Sequence, residues 1–191
     1  MIPMADMLKL TTLLVVLLFP CSGMAITVND TDPDSGLARW QSQGHGLSLE
    51  LIQLLPDFVR GVYEARGLPP DLGQEMADYC VFGGIVRNET QRALSYDMRL
   101  WRARTADGQR HELKTKLDWL AEWRRRGVHF GWSMMPTAQD FEVGDWGQGF
   151  VTMKLPRGTR FDLEYVWRQH GRKQTARLEG VVCADESPPA K

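Results

Sequence analysis

Side chains able to do chemistry are sparse and scattered in this chain of 191 residues. The four histidines, His45, His111, His129 and His170, lie far apart in sequence. None has a local pattern that selects it as a base, and nucleophilic catalysis needs a nucleophile, a base and a group to orient that base. There is no GxSxG turn, no phosphate-cradling GxxxxGK[ST] loop and no CxxC pair for thiol–disulfide exchange. Gly83-Gly84 sits inside an apolar run and reads as a bulge or a point of close sheet packing. No catalytic residue is assigned, and a non-catalytic protein is expected.

Three groupings are weighed as sites. Asp140, Glu142 and Asp145 cluster around one loop. Paired carboxylates across a cleft would suit a hydrolase or a carbohydrate-binding module. Acidic residues near a β-turn otherwise cap backbone amides or stand in water, which is the expectation here. His129, Met134, Met135 and Met153 fall in neighbouring segments, and imidazole with thioether suits copper. In a regular strand His129 and Met135 share a face while Met134 points the other way. A copper carrier would therefore use His129, Met135 and Met153, with His170 as a further ligand. The competing reading is core methionine with a surface histidine, and no other cofactor is indicated. Asp30, Asp32 and Asp34 alternate, but Ser35 and Gln41 stand where a calcium loop needs Gly and Glu.

The third grouping is tryptophan, seven in all. Most should be core, because each buries a large area. Trp146 is set among glycines in Gly144-Asp145-Trp146-Gly147-Gln148-Gly149, which give it little cover. Trp101 would share a strand face with Asp97 and Arg99. Trp119 and Trp123 lie four apart on a helix, beside a stripe of Leu113, Leu117 and Leu120. Asp145, Trp146, Trp101, Trp119 and Trp123 are thus the candidate binding residues. Exposed aromatic rings suit a protein partner, a peptide or a sugar.

These residues must be positioned by elements that the pattern of apolar residues and turn signals outlines. Short helices are expected over residues 56–66, 69–78 and 115–126, opened by proline or a Thr115–Asp118 capping box. Strands are expected near residues 47–52, 80–87, 94–102, 129–134, 146–155, 160–168 and 174–183. Phe161, Leu163, Tyr165 and Trp167 alternate strictly with Arg160, Asp162, Glu164 and Arg168. Seven to eight short strands separated by turns predict a mainly β fold: a two-sheet antiparallel sandwich, Ig-like in architecture, with three short inserted helices.

The first 25 residues read as a cleavable signal peptide. Lys9 precedes the apolar run from Leu10 to Phe19, Pro20 breaks it, and Gly23 and Ala25 supply small residues before a cut. That run is about half of what a membrane-spanning helix requires, so no stable span is expected. Residues 26–36 read as a flexible acidic leader, residues 37–184 as a single domain and residues 185–191 as a frayed tail. Removing the leader removes Cys21 and leaves Cys80 and Cys183, which most simply pair in an oxidising compartment. A formal charge of −1 gives no reason to expect nucleic acid as partner. The sequence therefore predicts a periplasmic or secreted accessory protein whose partner is another exported protein. Asn29 and Asn88 each head a glycosylation sequon.

Overall fold

The computed structural model describes residues 26–43, 46–131 and 133–186. The export segment expected at residues 1–25, His45, Trp132 and residues 187–191 lie outside them. Within the described residues the chain runs β1 (Ile26–Thr31), β2 (Ala38–Gln43), β3 (Leu47–Gln53), α1 (Pro56–Ala65), α2 (Pro70–Ala77), β4 (Cys80–Asn88) and β5 (Leu94–Asp97). It continues through β6 (Arg102–Thr105), β7 (Arg110–Glu112), α3 (Lys116–Arg125), β8 (Ala138–Phe141), β9 (Trp146–Met153), β10 (Arg160–Gln169) and β11 (Arg172–Val182).

The strands form two antiparallel sheets. One has five strands in the order β1-β2-β3-β4-β9. The other has six: β7-β6-β10-β5-β8, with β11 also on β10. Phe161, Leu163 and Glu164 of β10 pair with both β6 and β11, so β11 occupies the opposite edge of β10. Between the sheets lies one core, built from Leu47, Leu49 and Leu51 of β3, Phe82 and Val86 of β4, and the alternating Phe161, Leu163, Tyr165 and Trp167 of β10. A second core, with Val59, Tyr63, Leu72, Met76, Trp119 and Trp123, fills the space between the helices and the outer face of the five-stranded sheet. Because β4 supplies Phe82 to the first and Val81 to the second, it is apolar on both faces. The sandwich with inserted helices is as the sequence implies.

Cys80, which opens β4, and Cys183, which follows β11, form the expected disulfide and tie the sheets together. Gly84 and Gly149 face each other across β4 and β9. A Cβ at Gly149 would stand 2.3 Å from the Met135 backbone nitrogen, and one at Gly84 would stand 2.7 Å from Val151. This is the close packing expected of the paired glycines, and it lets residues 133–135 run beside β9.

Several expectations are corrected. The acidic leader contributes a strand: β1 pairs along its length with β2 through a turn in which the Asp32 carboxylate accepts from the Ser35 N–H at 2.7 Å. The strand expected over residues 94–102 is broken by a 3-10 turn at Met98–Leu100, which the Asp97 carboxylate caps by accepting from the Arg99 N–H at 3.0 Å. The strand expected over residues 129–134 is reduced to a bridge between Met134 and Phe150. Among the described residues eleven strands replace the expected seven to eight.

Candidate binding surface

The five-stranded sheet is covered by helices at one end of its outer face and left open at the other. At the covered end α3 begins where the Thr115 N–H donates to the Asp118 carboxylate at 2.8 Å, the reciprocal half of a capping box. Trp119 and Trp123 point inward and are fully buried, their rings 5.5 Å apart. The Trp119 indole N–H donates to Thr152 Oγ1 at 2.9 Å, and that hydroxyl donates to the Lys114 carbonyl at 2.7 Å. Lys114 Nζ lies 3.5 Å from the Trp119 ring centroid and 2.5 Å from the Glu122 carboxylate. The two tryptophans are therefore packing residues, not binding residues. The expected leucine stripe is also corrected, since Leu117 faces solvent. Two indoles bury far more apolar area than one leucine, and that decides which face turns inward.

Trp101 is buried as well. The 3-10 turn shifts its face away from Asp97 and Arg99, and its indole N–H donates to the Val166 carbonyl at 3.0 Å. Its ring lies 5.6 Å from Tyr96 and 5.8 Å from Tyr165. Of the five candidate binding residues, Trp146 and Asp145 remain at the surface.

The turn before β9 positions them. Gly144 adopts φ 79°, a left-handed conformation that favours glycine. The Asp145 carboxylate accepts from the Glu142 N–H at 2.8 Å, and the Asp145 carbonyl accepts from the Asn88 N–H at 2.8 Å. Asp145 thus does the capping expected of it. Asn88 is buried, its amide donating to the carbonyls of Arg92 and Glu142, each at 2.8 Å, so this sequon is occupied by the fold. Trp146 opens β9 opposite Arg87 of β4 and is 57 % exposed; Val143, in the same turn, is also exposed.

Beside Trp146 a charge ladder crosses the open sheet face. Asp30 of β1 meets Arg39 of β2 at 2.8 Å, Arg39 meets Glu50 of β3 at 3.6 Å, and Glu50 meets Arg87 of β4 at 3.5 Å. Hydrogen bonds from Arg39 and from the Thr31 amide hold the Asp30 carboxyl below the usual carboxylate range. Glu50 is buried beneath the two guanidiniums. The ladder was not singled out from the sequence. Its only signal there is Glu50 alternating with Leu49 and Leu51 in a strand whose other face is core.

Set against protein-family models, curated proteins and solved structures, the chain matches none.

The expected histidine–methionine grouping separates. Met135 and Met153 lie in the inter-sheet core and Met134 in the helix-side core, while His129 is exposed after α3. His129 and the thioethers are therefore not presented together at one accessible position. His170 is exposed in a turn with φ 51°, its Nε2 2.7 Å from Arg92 Nη1. Among the described residues no three His, Cys, Asp or Glu side chains are gathered as metal ligands. Asp140 lines a shallow groove of about 320 Å³ with Asp97 and Arg168, and it shares an open groove with Glu142, Arg168 and His170, while Asp145 is engaged in its own turn. No described helix is long and apolar enough to cross a membrane.

Proposed function

We propose that this chain is an exported accessory protein that binds another exported protein through the open end of its five-stranded sheet, with Trp146 as the anchor. The observation that carries this reading is the contrast among tryptophans. Trp40, Trp101, Trp119, Trp123 and Trp167 are all buried, whereas Trp146 stands in solvent beside Val143. An indole kept in water forfeits on the order of 1.5–3 kcal/mol that burial would return. Aromatic anchors of this kind dominate protein interfaces. The ladder ends at Arg87, opposite Trp146 in register, and its charges would set orientation more than affinity. Export is supported by the Cys80–Cys183 disulfide, which belongs to an oxidising compartment, and by the leader pattern of residues 1–25.

A photo-crosslinking residue placed at position 146 in the exporting cell tests the reading. The expected result is one dominant protein adduct, absent when the same residue replaces exposed Leu117. No adduct at position 146, or the same adducts at both positions, overturns it. Mass analysis of the mature chain is expected to give an N-terminus at Ile26.

A further inference from the structure

The outer face of the six-stranded sheet, on the far side of the sandwich from Trp146, carries guanidinium groups above shielded carboxylates. Glu164 of β10 lies opposite Arg102 of β6 and Arg177 of β11, and Asp162 lies opposite Arg104. The Glu164 side chain is only 17 % exposed. Its carboxylate is 3.2 Å from Arg110, 3.2 Å from Arg177 and 3.9 Å from Arg104. Asp162 is half-buried, 3.7 Å from Arg177 and accepting the Gly180 N–H at 3.0 Å. Arg160 is exposed, lies across Gly180 and has no carboxylate within ion-pair reach among the described residues. Glu164 and the half-buried Asp162 thus lie beside three arginines, with Arg160 unpaired next to them, and all four side chains reach into solvent.

The arrangement has consequences for recognition. The Glu164 carboxylate hydrogen-bonds Arg177 and holds that fork in place, which lowers the entropy it loses when a further anion binds. Each guanidinium has five N–H donors, so an ion pair below leaves donors free above. None of the large apolar side chains exposed among the described residues comes from β6, β7, β10 or β11. A surface that enters a bilayer interface needs such side chains beside its cations. We propose that this arginine layer docks an acidic polypeptide segment, whose carboxylates take the outward donors of Arg104, Arg110, Arg160 and Arg177. The site is independent of the Trp146 surface and can fail without it.

The test uses the purified chain and a fluorescein-labelled oligoglutamate peptide, with anisotropy read at low and at raised sodium chloride. Binding is expected to weaken about tenfold in Arg104→Glu/Arg160→Glu, and to stay within about twofold in Arg124→Glu/Arg125→Glu, which changes net charge equally on the helix layer. Arg160→Gln, a milder change at an arginine with no carboxylate to lose, is expected to weaken it about threefold. The proposal is overturned if the two double variants lose binding equally, if the peptide does not bind, or if phosphatidylglycerol vesicles bind while oligoglutamate does not.

Discussion

The two ends of the five-stranded sheet make opposite use of tryptophan. At the helix-covered end Trp119 and Trp123 fill a second core, with their ring neighbours Tyr63, Tyr79 and Phe130. At the open end Trp146 has no such cover, and the sheet face carries the Asp30–Arg39–Glu50–Arg87 ladder instead. One end is stabilised by apolar burial, and the other keeps an exposed indole beside paired charges. A chain that buries five of its described tryptophans and leaves one in solvent distributes them by position, and the exposed one begins a strand behind a fixed turn.

This contrast can be broken most forcefully at the covered end. Trp123→Ala should cost about 3–5 kcal/mol in urea unfolding, the range for emptying a buried aromatic site. Gly149→Ala should cost about 1–3 kcal/mol or more, because its Cβ would meet the Met135 backbone, not a flexible side chain. Trp146→Ala should change stability by no more than about 0.5 kcal/mol while removing the adduct formed by a photo-crosslinking residue at neighbouring exposed Val143. A cost at Trp146 comparable to that at Trp123 would erase the distinction between the ends.

Acid titration sharpens the comparison with effects smaller still. At the covered end, burial and then a hydrogen bond with Glu122 raise the Glu75 carboxyl above its ordinary value. Its contribution to stability is full in acid and is lost as pH rises through its folded value. At the open end Asp30 is lowered, chiefly by Arg39, so its contribution is present at neutral pH and is lost as pH falls. Unfolding free energies between about pH 3 and 7 should therefore diverge in opposite directions. Relative to the parent chain, Glu75→Gln gains stability with rising pH and Arg39→Gln loses it. Parallel slopes for the two variants would contradict the assignment.

Much of the fold was legible because punctuation is local. Pro56, Gly67, Pro70 and Gly127 bracket the helices, and the alternation in β10 survives intact as the core face of the six-stranded sheet. The disulfide followed from counting the two cysteines beyond the expected leader. The candidate site was read less well. A three-residue 3-10 turn leaves no trace in a period-two pattern, so Trp101 was placed on the wrong face. The helix face at Trp119 and Trp123 depends on which side chains find partners on the sheet, and Thr152 and Lys114 are remote in sequence or outside the helix. β1 reads as a loop because its alternation is polar, and its partners are set by β2 and by Thr27 bonding to β11. Trp146 was readable because its glycine neighbours, a purely local fact, leave it uncovered.

Hydroxyl-radical footprinting of the indoles, on the purified protein and in the cell, tests the proposed binding surface most directly. The account predicts that Trp146 oxidises readily in the purified chain and is protected in the cell, with Trp101, Trp119 and Trp123 protected in both. Equal oxidation of Trp146 in the two settings would mean that nothing covers it where the protein works.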